Sequence, residues 1–112
     1  MPRRDWKIRV TDILECIDRI ACYTEDMTLA EFQGDNKTSD AVLRNLEIIG
    51  EAARHVPKEI QDRYPDLPWM EMRAMRNIVI HEYFGVNLNI IWHTINYNLP
   101  PIVPRLKEIL EQ

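Results

Sequence analysis

Nine residues, RNIVIHEYF at positions 76 to 84, bring together an arginine, an amide, a histidine, a carboxylate and a phenol. They surround the short apolar patch Ile78-Val79-Ile80. Such groups suit RNA cleavage without a metal. The attacking 2′-hydroxyl needs a base, the departing 5′-oxygen needs an acid, and histidine can serve either role near neutral pH. The charge that builds on the phosphate needs a fixed cation, and the arginine fork matches phosphate oxygens in pairs. An amide one turn before the histidine can hold its tautomer and ring orientation. A plainer reading stands beside this one. The helix dipole favours Arg and His near a helix C-terminus without any substrate.

Helical spacing sorts these residues. Asn77 and His81 are i, i+4 and share a face. Arg76 and Tyr83 are i, i+7, roughly 20° apart around the axis. Arg76 and His81 are i, i+5, roughly 140° apart on a straight helix. The last two converge only if the helix unwinds near His81, or if two chains each supply part of a cleft. A two-fold homodimer is the simplest way to build such a composite cleft.

The elements that must position these groups read as helices. Only three glycines occur and 3.6-residue apolar periods dominate. From Asp5, a plausible N-cap, Trp6, Val10, Ile13, Leu14, Ile17, Ile20 and Ala21 form one stripe. Thr28-Leu29-Ala30-Glu31 has capping-box spacing, and Gly34 can end the short helix it opens. Thr38-Ser39-Asp40 opens a longer helix with Val42, Leu46, Ile49, Ala53 and Val56 inward. Gly50 inside it costs about 1 kcal/mol relative to Ala, which points to a close backbone approach. Pro57 starts a brief helix, and Tyr64 to Pro68 is a connector. Trp69 to about Tyr83 is the next helix, with Met72, Met75 and Val79 inward, and Gly85 breaks it. Asn87 caps another, carrying Leu88, Ile91, Trp92 and Ile95. Pro100, Pro101 and Pro104 mark a fresh start that Ile102, Leu106, Ile109 and Leu110 continue. No period-2 segment competes. The expectation is an all-α, up-and-down helical bundle, one domain over 1–112.

The totals narrow the function. With 46% apolar and 29% charged residues, the composition is that of a soluble globular protein. No apolar run approaches the roughly 20 residues of a membrane span, so no membrane role is expected. The basic start MPRRDWKIRV has no apolar signal core behind it, which fits a cytoplasmic protein. Cys16 and Cys22 lie roughly 9 Å apart along one helix, too far to bridge, and read as buried packing thiols in a reducing compartment. The net charge of −4 argues against non-specific grip on long nucleic acid. Any RNA role must rest on local cations.

The motif Arg76-Asn77-x3-His81-x-Tyr83 resembles the R-x4-H-x-Y signature of the HepT-like branch of the HEPN superfamily. The segments TSDAVLRNLEIIGEAARHVP (38–57), WMEMRAMRNIVIHEYFGV (69–86) and IIWHTI (90–95) resemble that branch too, and the likeness covers nearly the whole chain. It implies a homodimeric helical bundle whose two motif copies line one cleft. The implied activity is a metal-independent endoribonuclease, needing no cofactor, that acts as a toxin beside an MNT-type minimal nucleotidyltransferase antitoxin. By that likeness Arg76 binds the scissile phosphate, Asn77 orients, His81 carries acid/base chemistry, and Tyr83 receives AMP from the antitoxin. The acidic balance is the one discord, since a dimer carries 2 × (−4) = −8. Arg73 and Arg76 would counter it, with Arg3, Arg4, Lys7 and Arg9 if they fold nearby.

Other residues have two readings each. Glu47, Glu51 and Arg54, with Arg44 before them, read as a solvated ladder worth about 0.3–0.5 kcal/mol per pair. Alternatively Glu51 sits by the cleft and supports it, because GEA falls within a family-like segment. Trp6, Trp69 and Trp92 read as packing residues, with base stacking the alternative for Trp69. His55 and His93 lack partners at metal-ligand spacing. At the level of the whole chain, the alternative to an enzyme is a non-catalytic helical subunit. It would dock a nucleotidyltransferase or bind a nucleotide, with Arg76 as its anion anchor.

Overall fold

The computed structural model describes residues 5–81 and 87–112, with the side chains of residues 5 and 78–81 outside the described set. Among the described residues there are only helices and connectors. They are α1 (Asp5–Tyr23), α2 (Leu29–Gln33), α3 (Asn36–Arg54), α4 (Lys58–Arg63), α5 (Trp69–His81), α6 (Leu88–His93) and α7 (Val103–Leu110). A π-helical segment, Thr94–Asn98, and a 3-10 turn, Pro100–Ile102, link α6 to α7. The expected all-α class is therefore met.

Helix α3 is the centre. It packs against α1 on one side and α5 on the other, while α7 lies on α1, and α2 meets both α3 and α6. The apolar stripes explain this. Val10, Ile13 and Ile20 of α1, Val42, Leu46 and Ile49 of α3, Met72 of α5, and Leu106 and Ile109 of α7 are all but fully buried. Burying one such side chain stabilises by roughly 1.5–3 kcal/mol, so the periodic positions decide the packing. Two sequence expectations fail at the end of α1. Ala21 stays exposed along an open groove it lines with Ile95, Pro100 and Val103, and Cys22 is exposed too, whereas Cys16 is buried. Burial raises the Cys16 thiol above its ordinary pKa.

The helix ends follow local chemistry. Thr28 and Glu31 form both halves of the capping box, at 3.1 and 2.9 Å. Helix α3 begins one turn before Thr38-Ser39-Asp40. Its cap is Asp35, whose carboxylate accepts from the Thr38 N–H at 3.0 Å and the Thr38 hydroxyl at 2.7 Å. Those bonds hold the Asp35 carboxyl below the usual carboxylate range. Pro57 sits just before α4 as its cap residue rather than at its first position. Asn87 caps α6 by accepting from the Asn89 N–H at 2.9 Å. Gly85 and the C-terminal part of the expected 69–83 helix lie outside the described residues.

The connector before α5 is tied to the chain's end. Arg105 Nε donates to Asp66 at 2.8 Å, and the Tyr64 hydroxyl donates to Gln112 Oε1 at 3.0 Å. Trp69 is buried, and its indole N–H donates to the Tyr64 carbonyl at 3.0 Å. Its ring belongs to the core, which removes the base-stacking alternative. Lys7 Nζ reaches the Gln112 carbonyl at 2.7 Å.

Candidate functional site

The site is built where α3 crosses α5. A Cβ added to Gly50 would lie 2.6 Å from the Arg76 nitrogen and 2.7 Å from the Arg76 Cβ. No real side chain tolerates that approach to backbone, so glycine here lets α5 seat directly on α3. The close approach expected of Gly50 is thus present, and the residue it meets is the motif arginine. The base of Arg76 is pinned by helix packing rather than by its own side chain.

Glu51 then reaches across from α3. Its Oε2 lies 2.7 Å from Arg76 Nε, with the two side chains 40% and 35% exposed. Oε2 itself is shut off from solvent, and the Arg76 N–H is not aimed straight along the line between them. The other oxygen, Oε1, faces its own helix, 3.8 Å from Arg54 Nη1 and 3.5 Å from His55 Nδ1. The His55 ring also meets the Glu51 carbonyl at 2.9 Å. The ladder expected on α3 is present at Arg44–Glu47 (3.6 Å) and at Glu51–Arg54 (3.8 Å), and Glu51 also reaches the motif, as the alternative reading expected.

Arg76 stands between two grooves. One, of about 410 Å³, is lined by Arg54, Met70, Arg73, Ala74, Arg76 and Asn77. Three arginines and an amide line it, with no carboxylate among them. The other, of about 300 Å³, is lined by Arg9, Asp12, Arg44, Glu47, Ile48, Glu51, Ala52 and Arg76. There three cations face three carboxylates. Only the first groove offers an unbalanced positive field, and a phosphodiester needs that field. This local excess answers the discord of the acidic net charge.

The structure therefore brings together Arg73, Arg76 and Asn77, with Glu51 behind them. His81 is the last described residue of α5, while its side chain and the whole of Glu82 and Tyr83 lie outside the described residues. So do Arg3 and Arg4. Of the other N-terminal cations, Arg9 reaches the mixed-charge groove. Lys7 turns away to the Gln112 carbonyl and the Trp6 ring. Two features escape a reading of spacing alone. Arg54 joins the basic groove although it looks like a ladder residue, and Glu51 finds its partner on another helix. The signal that could have found both is Gly50, whose neighbours must lie where two helices touch. Among the described residues no group of three potential ligands could hold a metal ion.

Comparison with known proteins places this geometry in a lineage. Residues 13–111 match the family model described as "Ribonuclease HepT-like". The chain belongs to that family. It is 40% identical to "Putative RNase MJ0127" of Methanocaldococcus jannaschii over 99% of this chain and 92% of that one. It is 36% identical to "Probable ribonuclease HepT" of Thermococcus cleftensis over 96% and 97%. A bacterial relative, "Putative RNase TTE0752" of Caldanaerobacter subterraneus, is 43% identical over 77% of each chain. No solved structure gives a significant match. Membership in a HepT-like ribonuclease family supports an RNase activity, as the resemblance of the motif implies. Among the described residues no helix is long and apolar enough to cross a membrane.

Proposed function

We propose that this chain is a metal-independent endoribonuclease and the toxin of a HEPN/MNT-type pair, silenced when its nucleotidyltransferase antitoxin transfers AMP to Tyr83. The observation that carries the proposal is the groove of Arg54, Arg73, Arg76 and Asn77, lined without a carboxylate, beside the helix that also carries His81. Family membership and the ribonuclease names of its relatives support RNA as the substrate.

In this reading Arg76 grips the scissile phosphate, and Arg54 and Arg73 hold the strand beside it. Asn77 orients the His81 ring. The 2′-hydroxyl gives up its proton and attacks phosphorus, and the bond to the 5′-oxygen breaks. The leaving oxygen takes a proton, so the products are a 2′,3′-cyclic phosphate and a 5′-hydroxyl. Phosphate contacts of this kind position the strand without reading its sequence.

Helix α5 is α-helical from Arg76 to His81, which keeps the two pointing different ways on one chain. In this reading a second chain completes the cleft. Met70 on α5 and Ile90 on α6, exposed by 69% and 59%, offer apolar surface for that contact on the motif's own helix and the next one.

The test is incubation of the pure protein with RNA in excess chelator. Cleavage should persist and leave cyclic phosphate ends, and His81→Ala should abolish it with helical content unchanged. Full activity in His81→Ala would remove the assignment.

A further inference from the structure

The geometry points to Glu51 as the positioning residue for Arg76, and as a charge that tempers the basic groove. This rests on the ribonuclease reading for its kinetic consequence but not for its structural one.

Three observations converge. The Glu51 carboxylate is divided between two tasks, with Oε1 toward Arg54 and His55 on its own helix and Oε2 toward Arg76 on another. The contact to Arg76 enters from the side, at Nε, 2.7 Å away. A guanidinium has five N–H donors, and Nε carries one of them. A carboxylate held there draws the guanidinium toward α3 by charge rather than by an aligned hydrogen bond, while the terminal nitrogens are the part that reaches furthest along the side chain. Finally, Gly50 presses the root of Arg76 against α3, so the side chain is fixed at its base by packing and near its head by charge. A surface pair formed only for solubility would need neither. Lys58–Asp62, with side chains 88% and 64% exposed, is what such a pair looks like in this chain.

Glu51 also sits where the two grooves share a wall. It lines the mixed-charge groove together with Arg76, and it pairs with Arg54 and Arg76, which line the basic one. Its negative charge therefore lowers the pull of that groove on any phosphate. Orientation and damping have opposite effects on substrate. The first makes the bound phosphate react, and the second keeps ground-state binding loose.

The isosteric variant Glu51→Gln separates them. It should melt close to the wild type. On an RNA oligonucleotide KM should fall several-fold, because Arg54 and Arg76 lose their counter-charge, while kcat should drop about tenfold or more as Arg76 loses its charged partner. A merely structural role would move both constants toward weaker activity. Unchanged kcat, or a rise in KM, overturns the proposal. The second readout needs no activity. The Nε resonance of Arg76, assigned by its loss in Arg76→Lys, should shift when Glu51→Gln removes the neighbouring charge, while that of exposed Arg73 stays where it is. An Arg76 Nε resonance that does not move in Glu51→Gln overturns it. If the wild type cuts no RNA but the resonance shifts as stated, the ribonuclease reading falls and the pairing role of Glu51 stands.

Discussion

At the residue scale, the motif divides into groups that hold and groups that react. Arg76 is held from two directions, by the packing of Gly50 and the carboxylate of Glu51. Arg73 and Asn77 are exposed along the same groove. Tyr83 follows His81 by two residues, and the regulatory role proposed for it carries a direct prediction. In that proposal AMP on its hydroxyl brings a phosphodiester charge and a bulky nucleotide to the motif, competing for Arg76 and repelling substrate. Tyr83→Phe should keep RNA cleavage and escape silencing by the nucleotidyltransferase. Co-expression with that partner, followed by mass measurement of the intact protein, checks it. AMP-sized additions persisting in Tyr83→Phe would place the modification on another residue. Much of this scale was legible from spacing, because Arg76, Asn77 and Arg73 lie within one helix. Glu51 was readable only as an alternative to the ladder, and its partner was not, because that depends on how two helices cross, which no periodicity encodes.

At the element scale, the α3–α5 crossing is the feature that positions the chemistry. Gly50→Ala tests it. Alanine inside a helix normally gains about 1 kcal/mol over glycine. Here the added methyl would meet Arg76 backbone at 2.6 Å, so the two helices must separate. Overpacking of that kind costs roughly 1–3 kcal/mol. The net expectation is loss of stability in urea and a fall in RNA cleavage larger than that loss explains, since Arg76 moves with its helix. A more stable and fully active Gly50→Ala would show that the crossing has slack. Helix identity was readable from the stripes, and the box at Thr28–Glu31 from its spacing. The start of α3 was misread because Asp35, Thr38, Ser39 and Asp40 are all capping residues. Asp35 wins, since its carboxylate reaches both the N–H and the hydroxyl of Thr38. Likewise the stripe of α1 continues in sequence to Ala21, which faces an open groove rather than a closed contact, so apolar character there does not mean burial.

At the scale of the whole molecule, the acidic balance and the divergence of Arg76 from His81 lead to the same requirement. One chain offers one patch of excess positive charge, and two chains facing each other would join two. The homodimer can be tested by complementation. Arg76→Ala and His81→Ala chains should each be inactive alone. Mixed after co-refolding, they should recover a substantial fraction of wild-type activity, because one pairing of an intact Arg76 with an intact His81 is restored across the interface. A monomer by light scattering at micromolar concentration that is still active, or a mixture that stays inactive, would show the cleft belongs to a single chain.

The contact between Lys7 and the final carbonyl has a consequence for the order in which the chain is written. Lys7 Nζ meets the Gln112 oxygen at 2.7 Å, so the head of α1 and the tail of α7 lie side by side. A short linker could join them, and the chain could be opened instead in the exposed turn at Asp26, which carries a φ of 61°. Helices that meet at the surface in this way can be joined in a different order. The permuted order would begin with α2 and finish with α1, leaving α3, α4 and α5 continuous. The reactive crossing would be inherited intact by a protein whose first helix had become its last.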